Sequence, residues 1–246
     1  MKVLAIYSIK GGVGKTTAAV NLAAEAARAG ARVLLWDLDP QGAATFFVRV
    51  KPRIKGGAER LVSKHGGLAE HVRATDVAGV DVLPADFSLR HLDLHLDAAP
   101  TGRLSSLLDP IAADYDVALL DCAPGITLTS EGVFEAADAL LVPTIPATLS
   151  ARTLEQLDRF LGRLDDPPIV LPFLSMIDRR RTVHREVAAA LGAAWPRLLS
   201  TQVPNVASVE RMGVERAPLA EFAPTGRGTI AYRDLWSEIA AQLWAG

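Results

Sequence analysis

Residues 10–17 read Lys10-Gly11-Gly12-Val13-Gly14-Lys15-Thr16-Thr17. They lie between an apolar run and a helical pattern, where a phosphate-binding loop belongs. The glycines let backbone N–H groups turn inward onto phosphate oxygens, and the following helix N-terminus adds partial positive charge. Lys15 would reach the β- and γ-phosphates of a nucleoside triphosphate. The Thr16 hydroxyl suits Mg²⁺, and Thr17 suits the α-phosphate. One position departs from the ordinary pattern G-x-x-x-x-G-K-[ST]. Where it has its first glycine, this chain has Ile9, followed by a second lysine, Lys10.

Two further stretches could complete the site. Residues 33–36 are apolar and close on Asp37-Leu38-Asp39-Pro40. Residues two apart on a strand point the same way, so one carboxylate can face the γ-phosphate and its attacking water while the other braces the loop or metal. Residues 117–120 are apolar and close on Asp121, a Walker B pattern whose carboxylate would hold Mg²⁺ through water. Phosphoryl transfer needs mainly positioning and charge neutralisation, which two lysines, Mg²⁺ and a water-orienting aspartate supply. No triad or metal-ligand cluster competes. The five histidines (65, 71, 91, 95 and 184) have polar neighbours and read as surface or loop residues. Cys122 is the one cysteine, which excludes an internal disulfide, and it reads as a small packing residue.

These residues must be held by alternating strands and helices. Apolar runs at 3–7, 33–36, 80–83, 117–120, 139–142, 169–174 and 199–203 read as buried strands. Helical periodicity falls at 16–29, 104–113, 153–164, 183–191 and 230–243. Near-continuously apolar strands alternating with helices predict a three-layer α/β fold, with a mostly parallel central sheet flanked by helices. The length of 246 residues suits one domain spanning 1–246. Residues 51–67 are irregular and basic, with Lys51, Arg53, Lys55, Arg60 and Lys64; they read as a surface loop or a short inserted helix.

The formal net charge of −2 gives no global signal for nucleic acid. Because residues 3–7 run straight into the phosphate loop, a cleaved signal peptide is not expected, nor is a bilayer-spanning run. A cytoplasmic location is expected.

The loop with Lys10, the stretch Val33-Leu34-Leu35-Trp36-Asp37-Leu38-Asp39-Pro40-Gln41-Gly42-Ala43-Ala44-Thr45, the stretch Asp121-Cys122-Ala123-Pro124-Gly125, and the C-terminal segments 211–221 and 227–233 resemble the ParA branch of the ParA/MinD ATPases. The resemblance runs over nearly the whole chain. It implies a P-loop Mg-ATPase whose two ATP-bound subunits form a sandwich homodimer, with Lys10 reaching the partner's nucleotide. It implies that Asp39 orients the hydrolytic water and that Asp37 supports the loop and metal. It also puts Met176 and Pro204 near the nucleotide. Such ATPases bind DNA non-specifically as ATP dimers on the nucleoid. A ParB-like protein or cargo adaptor stimulates hydrolysis and releases them.

Met176-Ile177-Asp178-Arg179-Arg180-Arg181 matches a family segment in which an arginine contacts DNA, and Arg180 is the matching position. Near Pro204 the chain is shorter than the family pattern. Ala207 stands where a basic residue is often found, leaving Arg211 and Arg216 as alternatives. GTP is disfavoured, because the only asparagines are Asn21 and Asn205 and no N-K-x-D motif is present. No DNA-reading domain precedes the loop, so the resemblance is to a small ParA without operator-specific autoregulation. A MinD-like membrane role would need a basic amphipathic tail. The last helix instead carries Leu235, Trp236, Ile239 and Leu243 at core-like spacing, so no membrane partner is expected. An iron–sulfur reductase would need more cysteines.

Overall fold

The computed structural model describes residues 1–62, 67–97 and 103–244. In chain order the elements are β1 (Lys2–Ile6), α1 (Lys15–Arg28), β2 (Val33–Asp37), α2 (Ala43–Phe47), α3 (Gly57–Val62), β3 (Arg73–Ala74), β4 (Val80–Leu83), α4 (Leu92–Asp97), α5 (Arg103–Leu108), β5 (Val117–Asp121) and α6 (Leu128–Ala136). Then follow β6 (Ala139–Thr144), α7 (Ser150–Leu161), β7 (Ile169–Ile177), α8 (Thr182–Ala194), β8 (Gln202–Pro204), α9 (Ala207–Glu215), α10 (Leu219–Phe222) and α11 (Arg227–Trp244).

The eight strands form one sheet in the order β3-β4-β2-β5-β1-β6-β7-β8. Among the described residues only the β3–β4 pair is antiparallel. The period-2 geometry of the strands sorts their side chains onto two faces. Val3, Ala5 and Tyr7, Leu34 and Trp36, and Ala118 and Leu120 meet α3 to α8 on one face. Leu4 and Ile6, Val33 and Leu35, and Val117 and Leu119 meet α1, α2 and α9 to α11 on the other. Each central strand is therefore apolar without interruption because it is covered twice.

This three-layer arrangement is the expected one, and the corrections are local. The helix expected at 104–113 stops at Leu108 and continues as a 3-10 turn at Asp109–Ile111. The strand expected at 199–203 is shorter and later, Gln202–Pro204. The irregular region holds the short helix α3; its Lys64 and His65 lie outside the described residues. His71 and His184 are buried rather than surface residues. The Nδ1 of His184 accepts the Asp178 N–H at 3.0 Å, which closes the turn between β7 and α8. Cys122 is buried, as expected of a packing residue. Among the described residues no helix is long and apolar enough to cross a membrane. Tyr232, Leu235, Trp236 and Ile239 of α11 are buried where that helix packs along α1.

Candidate nucleotide site

β1 is central, with β5 on one side and β6 on the other, so the strand order reverses around it. Ligands bind at the carboxyl edge of such a switch point. The loop after β1 emerges there. Gly12 (φ 72°) and Gly14 (φ 93°) are left-handed, a conformation that side chains strain to adopt. Gly14 caps α1 and accepts the Ala18 N–H at 2.9 Å. A Cβ on Gly14 would stand 3.1 Å from Ser175 Oγ and 3.5 Å from Met176 Cε, so this glycine is required for space as well as for backbone. Gly11 lies against Pro124, which brings the loop after β5 up to the phosphate loop.

The register sets the carboxylates. Asp37 and Asp121 are direct partners across β2 and β5, and Ile6 is opposite Asp121 on β1. Three strands therefore end level, with two carboxylates side by side beneath the loop. Both side chains have no exposed surface. Asp37 is well satisfied: Oδ2 accepts the Thr45 N–H at 2.8 Å and the Thr45 hydroxyl at 2.7 Å, and Oδ1 accepts the Asp39 N–H at 3.2 Å. Asp121 is not: among the described residues neither carboxylate oxygen has a hydrogen-bond partner. Burial pushes both carboxyls up. For Asp121 the neighbouring Asp37 adds to the rise, and the nearby Thr16 hydroxyl and the Lys15 ammonium oppose it. Lys15 is itself buried, and burial lowers its pKa against the pull of Asp121 and Asp39.

A buried, unpaired carboxylate is costly unless something cationic joins it. Asp121, Asp37 and the Thr16 hydroxyl form an all-oxygen donor set of the kind Mg²⁺ takes. The residues therefore fit a hydrated Mg²⁺ next to a phosphate cradle. Asp39 is half-buried; its Oδ1 accepts the Gln41 N–H at 2.9 Å and starts the turn into α2. Lys10 is exposed, with its N–H donated to Ser8 Oγ at 3.3 Å, so its ammonium is not buried with the Lys15 group.

A family model described as an AAA domain matches residues 1–168. The sporulation initiation inhibitor protein Soj of Bacillus subtilis is 30% identical over 251 residues, covering 98% of each chain. The chromosome-partitioning ATPase Soj of Thermus thermophilus is 34% identical over 247 residues, covering 98% of this chain and 96% of its own. The chain belongs to the ParA/MinD family of P-loop ATPases. Among solved structures, cobyrinic acid a,c-diamide synthase of Mycobacterium smegmatis with bound ATP analogue and magnesium superposes with a TM-score of 0.84 at 25% identity, covering 100% of this chain and 97% of that one.

Elsewhere this ParA/MinD-family chain divides the residues expected to act together. Met176 and Pro204 both lie at the carboxyl edge of the sheet. Met176 is left-handed (φ 54°) at an irregularity between β7 and β8, next to Gly14; Pro204 ends β8 opposite Ile177. Arg179, Arg180 and Arg181 are exposed between β7 and α8. Arg179 and Arg180 line an open cleft of about 650 Å³, with Gln202, Asn205 and Arg227 among its walls. Arg180 is also forked onto Asp178 at 3.0 and 3.1 Å, which holds that carboxyl down at about 2. Arg211 is not among the residues lining that cleft; it lies on α9, paired with Glu215. The Arg216 guanidinium lies 4.4 Å above the Phe46 ring and donates from Nε to the Phe46 carbonyl.

Two participants lay beyond the sequence reasoning. Thr45 was visible only as the end of a motif, yet it holds Asp37 and also receives the Ala85 N–H at 2.9 Å. Ser175, buried against the loop glycine, carries no sequence signal.

Proposed function

We propose that this chain is a single-domain Mg-ATPase that uses ATP to dimerise on DNA and to partition or position a cargo. The observation that carries it is the unpaired Asp121 carboxylate, buried beside Lys15 under a phosphate loop that presents an additional exposed lysine. Backbone N–H groups of Gly11, Gly12, Val13 and Gly14 cradle the phosphates, and Lys15 neutralises the β- and γ-oxygens. Thr16, Asp121 and Asp37 would hold Mg²⁺, which would supply charge neutralisation to the phosphates. Thr17 takes the α-phosphate, and Met176 and Pro204 flank the base. Asp39 orients a water in line with the γ-phosphorus. The oxygen–phosphorus bond forms as the bridging bond to ADP breaks, and phosphate leaves.

The exposed position of Lys10 supports a role across a homodimer, where it completes the charge around the partner's nucleotide. Dimerisation doubles the basic surface of Arg179, Arg180, Arg181 and Arg211. Phosphate contacts of this sort are sequence-independent and salt-sensitive, which fits residence on the nucleoid. A ParB-like protein or cargo adaptor then triggers hydrolysis.

The test is DNA binding with and without Mg·ATP. Wild-type protein should retain DNA only with ATP, and Lys15→Ala should bind neither. Arg180→Glu should bind ATP normally and lose DNA retention. Equal retention by Arg180→Glu would remove that residue from the interface, and retention independent of ATP would overturn the switch.

A further inference from the structure

The two helices α2 and α9 end in the same unusual way. Arg49, just past α2, has φ 61°, and Arg216, the cap of α9, has φ 50°. Both are left-handed without being glycine, a conformation that side-chain-bearing residues keep only when surroundings hold them there. Each arginine reaches the carbonyl end of the other helix. Arg49 Nη2 donates to the Glu215 carbonyl at 2.9 Å, and Arg216 Nε donates to the Phe46 carbonyl at 3.1 Å. A cation at a helix C-terminus is favourable, and Arg216 also stacks on the Phe46 ring. Arg49 further meets Asp76 at 3.4 Å, a half-exposed pair that adds little.

Both partners of this exchange connect to the nucleotide site. α2 is a five-residue helix, so the Phe46 carbonyl moves with Thr45, and Thr45 holds Asp37 beside Asp121. On the other side, buried Asn21 donates to the Thr17 carbonyl at 2.8 Å and to Met212 Sδ at 3.3 Å, and its Oδ1 accepts the Leu219 N–H at 2.8 Å. Asn21 thus holds the segment from Met212 to Leu219 at both of its ends and ties it to Thr17 at the start of α1. Breaking the exchange would lose charge-assisted hydrogen bonds but would let two strained residues relax. These opposing costs are of similar size. Two arrangements close in energy are what a switching element requires.

We propose that Arg49 and Arg216 form a reciprocal clasp that transmits occupancy of the phosphate site to α9, the helix that carries Arg211. Both are positioning residues, and the inference rests on the reading of the site as one for Mg·ATP. Loading the site shifts Asp37, Thr45 and α2 as one body, and the clasp carries that shift to α9.

The test compares wild type with Arg216→Gly and Arg49→Ala. Glycine adopts a left-handed φ freely, so Arg216→Gly keeps the α9 cap and removes only the guanidinium. Two quantities are read: affinity for a fluorescent non-hydrolysable ATP analogue with Mg²⁺, and hydrogen exchange of the α9 amides with and without it. In wild type, the analogue should slow α9 exchange. In both variants affinity should stay within about twofold, while the α9 response falls by about fivefold or more. Arg216→Lys, which keeps charge but not the fork and stack, should resemble Arg216→Gly. Analogue binding with an indifferent α9 in wild type, or variants that respond as wild type does, would overturn the clasp alone. A wild-type protein that does not bind the analogue would overturn the ATP reading, and the clasp with it.

Discussion

Replacing Asp121 by asparagine should stabilise the nucleotide-free protein, by an amount that grows with pH. Asp121 is fully buried with both oxygens unpaired, and Asp37 lies directly across from it. Its folded-state pKa is raised, so between the ordinary carboxylate value and that raised value the folded chain holds a proton that the unfolded chain has released. Stability therefore falls as pH rises through that window. The partner Asp37 shows the same direction: burial lifts its carboxyl from 3.8 to about 6 even though it accepts three hydrogen bonds. At about 1.4 kcal/mol per pH unit, that displacement is worth about 3 kcal/mol. Asp121 is displaced in the same direction, by its own burial and by the neighbouring Asp37. At pH 4 a protonated Asp121 resembles asparagine, and the variant gains little. By pH 7 the gain over wild type should have grown to about 1–3 kcal/mol, the usual cost of leaving a buried polar group unsatisfied, a shift of about 2 °C or more in Tm for a chain of this size. Urea denaturation in chelator from pH 4 to 7 measures it. The buried His71, whose pKa is lowered by burial, contributes a slope of opposite sign, but it is present in both proteins and cancels in the difference. Mg·ATP should reverse the order, because only wild type offers it a carboxylate. A difference that stays flat with pH would refute the idea that Asp121 sits as an unpaired buried charge.

Other consequences are equally direct. Gly14→Ala combines a left-handed φ with a 3.1 Å approach to Ser175 Oγ, so it should abolish nucleotide binding in a titration with labelled ATP while the chain stays folded by circular dichroism. Thr45→Val removes the hydroxyl bonds to Asp37 and Ala85 from a buried site; it should cost about 2–4 kcal/mol in denaturant unfolding and lower the affinity for Mg·ATP. Asp39→Ala should bind ATP with near wild-type affinity yet release no phosphate in a steady-state assay, because Asp39 is read as orienting the water and not as holding the loop.

The phosphate loop and the acidic strand ends were legible because each is a contiguous motif whose chemistry needs no tertiary knowledge. The central strands were legible because double coverage leaves no polar positions to break the apolar runs. Short helices were not. α6 carries Gly132 in its middle, where an added Cβ would stand 3.3 Å from Leu104 Cδ1, and only Ser130, Val133 and Phe134 are buried. α9 buries a single residue, Met212, too little for a periodic signal. The pairing of Asp37 with Asp121 depends on β5 inserting between β1 and β2, an order that connectivity along the chain does not reveal. The left-handed Met176, Arg49 and Arg216 have no sequence signature, because glycine or asparagine is the residue such positions advertise. Burial of His71 and His184 likewise depended on which loops fold back over them.

In the proposed cycle ATP joins two copies of the chain through Lys10. Sedimentation velocity of Asp39→Ala, which should not turn ATP over, tests it most directly. With Mg·ADP the variant should sediment as a monomer and with Mg·ATP as a dimer, and adding Lys10→Ala should return it to a monomer without loss of ATP binding. A monomer in both nucleotides, or a dimer that persists without Lys10, would contradict the account.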